Sequence, residues 1–393
     1  MKKVVIVGGG FGGVYTARNV EKLLGDEVEV VLISKAEYFL FTPLLHEVAT
    51  GTLSPHSVSE NLRDIFHGTN VRVVQGEVKL VNRGESFVET EGGRESFDYL
   101  VVATGAETHF FGVEHEGVLK LKTLSDATKI RNSVITSFQK HREGTVRFVV
   151  VGAGPTGVEL ATELSEFVYG SLCRKFGIAE ENVEIVLVHS GGEILPQFSQ
   201  KTRQYAQKSL KKKRIRLVLN TRVVSLTDEK VTFESGECVD ASVVVWTAGV
   251  HPRVPSFIPG IEQEKERILV EDTLLLRGSD NIFVLGDSAA QDNPAPMLAQ
   301  VAVAQANVVA ENIRNSLRQK KLILFLFKSK GMLLSLGKWR ASGNIGGVHI
   351  KGPIAWWIWR TIYLFKFLSW RKRVKIMFEW TYDLFSSREV TKL

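Results

Sequence analysis

With 393 residues, 44% of them apolar and 24% charged, the chain has the make-up of a globular protein with two or three subdomains. Its two cysteines, Cys173 and Cys238, are too few for a disulfide framework or a cysteine-held iron–sulfur cluster. The net charge of +7 is unevenly held: residues 321–393 carry 14 Lys/Arg against 3 Asp/Glu, together with six of the seven tryptophans, and follow a near-neutral body.

From the start, Met1 and two lysines lead into an apolar run over 3–7, so no secretory signal is expected and a cytoplasmic location is the default. That run ends in Gly8-Gly9-Gly10-Phe11-Gly12-Gly13; residues 14–24 read as a helix stopped by Gly25-Asp26, and 28–33 as a second strand. The opening is therefore a βαβ unit of Rossmann type. Strands are predicted over 71–78, 86–89 and 96–103, the last running into Thr104-Gly105. A second βαβ follows: strand 147–151, turn Gly152-Ala153-Gly154-Pro155-Thr156-Gly157, helix 158–168 and strand 183–188. The two glycine fingerprints start 144 residues apart, far beyond any solenoid period. Lys211-Lys212-Lys213-Arg214 reads as a solvated helix end. Residues 281–285 form another apolar strand closed by Gly286-Asp287, and 299–316 a long helix before a polar hinge at 318–321.

A bound pyrophosphate needs close backbone and free N–H groups at a helix start, and side chains obstruct both. Gly8, Gly10 and Gly13 supply that geometry once, and Gly152, Gly154 and Gly157 a second time. Two cradles imply two dinucleotides, and FAD paired with NAD(P)H is the combination that makes chemical sense. Asp287, at a strand end, suits the ribityl hydroxyls of a flavin or serves as an ordinary N-cap. A carboxylate is expected to grip the adenosine ribose at the end of each second strand. Those positions are Ser34 or Lys35 in the first unit, with Glu37 as a substitute, and His189 in the second. Losing the acid at His189 leaves NADPH open, but no arginine stands beside it, so NADH stays ahead. Glu159, two residues after the last glycine, reads as a carboxylate suited to the helix dipole.

These residues resemble the type II (single-subunit, non-pumping) NADH:quinone oxidoreductases, within the FAD-dependent pyridine nucleotide oxidoreductases. The resemblance rests on VVIVGGGFGG (4–13), YFLFTPLLHEVATGTL (38–53), VVATGAETHFF (101–111), VVVGAGPTGVELATEL (149–164), VVWTAGV (244–250), NIFVLGDSA (281–289), PAPMLAQVAVAQA (294–306) and GPIAWWIWRTIYLFKFLSWRKR (352–373). It implies hydride transfer from NADH to FAD and two electrons onward to a membrane quinone in a respiratory chain. It places Phe41, Thr42 and Pro43 by the isoalloxazine, Thr104-Gly105 behind it, Glu159 between nicotinamide and flavin, and Ala299-Gln300 near the pyrimidine end and the quinone. Phe11, Gly12, Pro155, Thr156, Gly249 and Gly286 complete the expected binding set, with no metal. One departure concerns the quinone: the family's two glutamines a helical turn apart are here Gln300 and Ala304, and Gln305 would point about 100° away. Disulfide reductases need a cysteine pair that 34–55 lacks, and sulfide:quinone oxidoreductases need cysteines better placed than Cys173 and Cys238, which read as structural thiols. His46 reads as a packed histidine before a proton donor.

The expected fold class is α/β: residues 1–110 and 256–320 form a discontinuous FAD domain and 111–255 an inserted NAD(P)H domain. Residues 321–393 are expected to be a C-terminal membrane-associating helical segment. In residues 353–370 Arg360 and Lys366 interrupt the apolar run, so a helix lying on the bilayer surface, at its cytoplasmic face, is expected rather than a span. A homodimer contact remains an alternative use of that helix, and nucleic acid is not expected as a partner. Two other readings stay open: a soluble reductase serving a small acceptor protein, and a membrane-bound flavin redox sensor.

Overall fold

The computed structural model describes every residue except 142, 228, 254–259 and 393. The expected boundary at 255/256 lies outside the described residues. Packing divides the chain into two units: 1–40, 59–107 and 250–328 form the first; 41–58, 108–249 and 329–393 form the second. The stretch 41–58 thus packs with the second unit, although in sequence it lies between two parts of the first.

In the first unit five parallel strands run in the order Ile282–Val284, Tyr99–Val102, Lys2–Val7, Val28–Ser34, Val71–Gln75. Val4, Val5 and Ile6 are fully buried in the central strand, as a sheet covered on both faces requires. The helix Phe11–Leu24 buries Val14, Ala17 and Val20 along one stripe. The strand predicted over 71–78 breaks in two: Gly76 donates its N–H to Ser34 O at 2.9 Å, and Val78–Asn82 joins a separate antiparallel meander with Phe87–Thr90 and Gly93–Ser96.

The second unit repeats the pattern with Leu119–Lys120, Val243–Trp246, Val146–Val151, Val183–Val188 and Ile215–Val218, again all parallel. Its helix Pro155–Phe167 is almost wholly buried and continues through a single π turn, Val168–Leu172, into Cys173–Phe176. Lys211 and Lys212 do close the helix Gln200–Lys212, but Lys213 turns inward and pairs with Glu166.

The C-terminal part of this unit is not helical throughout. Gly331–Ser335, Ala341–Ile345 and Val348–Lys351 form an antiparallel sheet. Its second hairpin turns on Gly346 and Gly347, both at positive φ (55° and 86°), the two-residue turn that a glycine pair favours. Two helices follow, Gly352–Phe365 and Trp370–Phe385, where the sequence suggested one over 353–370. The break is held by Arg373, whose guanidinium donates to the carbonyls of Phe365 and Phe367 and satisfies groups that a helix end leaves open. Arg360 does not face outward: it is buried, stacked 3.8 Å over Trp356 and 4.9 Å over Trp380. Trp356, Trp359 and Trp380 are core residues, whereas Trp357, Trp370, Phe365 and Phe378 are exposed. Among the described residues no helix is long and apolar enough to cross a membrane.

Candidate active site

The two glycine turns match bond for bond. Gly8 N–H donates to Ile33 O and Gly152 N–H to Val188 O, each at 2.8 Å, which pins each turn to its second strand. Val14 N–H to Gly10 O and Val158 N–H to Gly154 O, each 3.0 Å, start the two helices. Each glycine has a distinct reason. Gly8 and Gly152 sit at φ +119° and +108°, where a side chain is strained. A Cβ on Gly13 would stand 1.8 Å from Gly8 O, and one on Gly157 1.8 Å from Gly152 O, so these glycines let helix and strand approach. Gly10 and Gly154 differ: their φ of −88° and −73° suits any residue, and an added Cβ would meet nothing within 4 Å. Each also opens a helix with no side-chain cap. The fold itself does not require glycine there, and the space beside the helix-start N–H groups is left open.

Around the first cradle, Ser34 is buried and bonds Ala36 O (2.6 Å), while a Cβ on Gly9 would strike its Oγ. Lys35 is exposed and paired with Glu77, and Glu37 is exposed. Phe11 packs edge-on against Phe39 at 5.0 Å, and Gly12 leaves room for Leu285. Thr104 and Gly105 are joined to the turn that follows the outer strand: Thr104 Oγ1 lies 3.0 Å from Ser288 Oγ, which also donates to Gly105 O. Asp287 faces the half-buried Arg267, whose charge it favours. Ala299 and Gln300 begin the helix Ala299–Leu317, another start without a side-chain cap. Gln305, which the sequence reading set aside, is buried, and its Oε1 accepts the Gly286 N–H at 2.7 Å. It fixes the Gly286-Asp287 turn, itself at φ +74°; a glutamine one helical turn and a half after Gln300 was the available signal.

In the second unit Pro155 takes the first helical position, where its missing N–H costs nothing, and Thr156 is exposed. Gly249 sits at φ +79° with the Phe111 ring where a Cβ would be. His189 directly follows its strand, Val183–Val188, and its Nδ1 lies 3.4 Å from Ala153 N. Phe41 is buried against Phe367 at 4.3 Å and Tyr363 at 6.0 Å, while Thr42 is exposed and Pro43 half-buried.

Glu159 is the most perturbed of the expected catalytic groups. It lies beyond the first turn of its helix, so the dipole argument from sequence does not apply. Its Oε1 accepts the backbone N–H of Ser335 at 3.1 Å, a bond supplied by the C-terminal sheet. Burial, partly opposed by that bond and assisted by Glu47 and Glu163, pushes its pKa up to about 8. His46 Nδ1 stands 3.8 Å from Glu159 Oε2, but burial and Arg388 drive His46 down to about 3. At neutral pH the two are a protonated acid beside a neutral imidazole, not an ion pair. Glu47 next to it is also raised to about 8 by burial and by Glu163, and accepts the Trp380 indole N–H at 2.6 Å.

Beneath Glu159 lies a group that sequence reading missed. Arg388 is buried and donates to Glu163 Oε2 at 2.6 Å, Glu166 Oε2 at 3.0 Å and Asp383 Oδ1 at 3.3 Å. Burial raises Glu163 despite Arg388; for Glu166 burial is outweighed by Lys213 and Arg388, and its pKa falls. Both cysteines are free: Cys173 is buried, its thiol pushed up to about 11 chiefly by burial, and Cys238 is exposed on a hairpin strand.

Residues 2–306 match the family described as pyridine nucleotide-disulphide oxidoreductase, and 329–389 the NDH2 C-terminal domain. A type II NADH:quinone oxidoreductase of Staphylococcus aureus is 31% identical over 373 residues, covering 90% of this chain and 92% of the relative. That of Staphylococcus saprophyticus is 30% identical over 374 residues, with the same shares. The chain belongs to the type II NADH:quinone oxidoreductases. Among solved structures, NDH2 from Plasmodium falciparum in complex with NADH shares the fold with a TM-score of 0.91 at 19% identity, over 100% of both chains. As a type II oxidoreductase the chain keeps the two-cradle fold of the disulphide family while neither cysteine lies in the 34–55 stretch where a redox pair was sought.

Proposed function

We propose that this chain oxidises NADH with bound FAD and passes two electrons to a membrane quinone, without pumping protons. The observation that carries the reading is the pair of open positions at Gly10 and Gly154, each at an uncapped helix start. FAD, when bound, supplies the two-electron step between NADH and quinone. In the first unit Gly8, Gly10, Phe11, Gly12 and Gly13 would take its pyrophosphate, and Ser34 and Lys35 its adenosine end. Thr104, Gly105, Gly286 and Asp287 would hold the ribityl chain and ring, with Gln305 fixing the turn. The bare helix start at Ala299 and Gln300 suits the electron-rich pyrimidine edge of a reduced ring and a quinone oxygen.

In the second unit Gly152, Gly154, Pro155, Thr156, Gly157, His189 and Gly249 would take NADH. Glu159 holds a proton on its carboxyl at neutral pH, and quinone reduction consumes two. Because its pKa is raised, the acid is loaded below about pH 8 and lost above it. Quinone reduction should therefore be flat from pH 6 to 7 and fall above 8. Glu159→Gln should lower quinone reduction by about 100-fold and abolish that alkaline limb; a variant that keeps the limb would remove Glu159 from the proton-holding role.

The exposed Trp357, Phe365, Trp370 and Phe378 with the exposed Arg371 support docking on a bilayer surface, at the cytoplasmic face, or alternatively a homodimer contact. Lys372 and Arg373 are less available, since both also bond backbone carbonyls. The test is stopped-flow mixing of FAD-loaded protein with NADH, then with a short-chain quinone, with and without anionic liposomes. Fast bleaching, fast reoxidation by quinone and co-sedimentation with liposomes are expected. Bleaching without quinone-driven reoxidation would move the acceptor to a protein.

A further inference from the structure

His189 occupies the place in the second cradle where a carboxylate ordinarily binds the adenosine ribose and repels a 2′-phosphate. Its main chain is fixed on both sides: its N–H donates to Val218 O at 2.8 Å and its carbonyl accepts the Thr221 N–H at 3.1 Å. The ring lies against the cradle's own turn, Nδ1 being 3.4 Å from Ala153 N. On its other side a Cβ at Gly191 would stand 3.1 Å from Nε2. Gly192 in turn abuts Asn220 Oδ1, and Asn220 N–H donates to Gly191 O at 3.1 Å, so the loop after the strand is held to the next turn.

Neither Ala153 nor Gly191, which lie against the ring, carries an ionisable side chain, and the Asn220–Thr221 turn bonds the main chain of His189 and Gly191. Burial alone lowers the imidazole pKa, which disfavours the charged ring. The acid that the following loop does carry, Glu193, is paired with Arg203. Arg222, directly after that turn, is exposed. Among the described residues 189–193 the sole carboxylate therefore already has its cation. The position that normally rejects a 2′-phosphate presents an imidazole in place of a carboxylate, a ring able to accept or donate a hydrogen bond.

We propose that this chain takes NADPH as well as NADH, and that His189 is the residue that sets the ratio between them. The inference rests on the second cradle being the nicotinamide nucleotide site. The chemistry is the same for both donors. The nicotinamide C4–H bond breaks with its electron pair, the hydride passes to the flavin, and NADP⁺ or NAD⁺ leaves oxidised. Only the recognition of the ribose differs.

The experiment uses FAD-loaded full-length protein, wild type and His189→Glu. Calorimetry measures NADP⁺ and NAD⁺ binding at pH 7, and stopped-flow bleaching gives the reduction rate with NADPH and NADH. In the wild type the two donors should lie within about tenfold of one another in reduction efficiency and the two oxidised forms in affinity. His189→Glu should cut the NADPH-to-NADH ratio by about thirtyfold or more, since like charges are brought together, and NADP⁺ affinity should fall with it. A wild type that prefers NADH by more than about a hundredfold in both measurements would overturn the proposal. So would a ratio that His189→Glu leaves within about twofold, because the side chain would then not govern the choice. Bleaching by NADH with none by NADPH sinks this inference alone. Failure of both nucleotides to bind or bleach sinks the nucleotide site with it.

Discussion

Gly10→Val should yield a folded but colourless protein, and Gly154→Val a yellow protein that NADH no longer bleaches. Neither change strains the chain, because both positions have negative φ and an added Cβ meets no protein atom within 4 Å. The substituted side chain would instead fill the space over the helix-start N–H groups, where a pyrophosphate must approach bare backbone. The two variants separate the cradles: the first should lose FAD during purification, the second should keep it and lose at least about 100-fold in NADH reduction rate. Circular dichroism and the flavin absorbance of each purified variant check the pair. A yellow Gly10→Val protein would remove the first cradle from the flavin site. Gly13→Ala is not an equivalent test, since its Cβ would strike Gly8 O and damage the fold itself.

Arg388→Ala should be the most destabilising single change in the second unit. Removing the guanidinium leaves Glu166 with Lys213 and Asp383 with Lys338, but strips Glu163 of its cation while the carboxyl stays buried. Breaking a buried pair from one side costs about 3–5 kcal/mol. The sign of the pH dependence follows from Glu163, whose folded pKa is already raised, by burial first. An acid with a raised folded pKa contributes most to stability below its unfolded value and loses that contribution as pH rises towards the folded one. The deficit of Arg388→Ala should therefore be smaller at pH 5 than at pH 8 by urea denaturation. Equal deficits at both pH values would assign the loss to packing instead. Arg388→Lys should recover only part, because one ammonium cannot serve three carboxylates through a planar fork.

The cradles were legible in the sequence because everything they need is local. An apolar strand, three glycines and a helix start lie within about a dozen residues, and the second strands 28–33 and 183–188 fall within one residue of Val28–Ser34 and Val183–Val188. What was not legible is what distant segments bring together. Arg388 stands 225 residues from Glu163, and nothing in the composition of either neighbourhood announces the pair. Ser335, which tethers Glu159, is 176 residues away and belongs to a sheet hidden in a stretch read only for its tryptophans and basic residues. The Gly346-Gly347 turn was the visible sign of that sheet. Arg360 was read as a charge at the bilayer surface; stacked between two indoles, it is a core residue, an outcome that follows from the second helix returning Trp380 to it. Gln305 was set aside because it points away from the Ala304 position, and its bond to the Gly286 turn cannot be read from that helix alone.

The Arg388–Glu163 pair also sets an order of events on the ribosome. Chains are made from the N-terminus at about 5–20 residues per second, so Glu163 emerges about 10–45 s before Arg388 exists. During that interval the helix Pro155–Phe167 has to be buried with a carboxylate that lacks its counter-charge, or else wait. Nascent chains are then expected to hold this helix exposed, open to chaperones and proteases, until synthesis has passed residue 388.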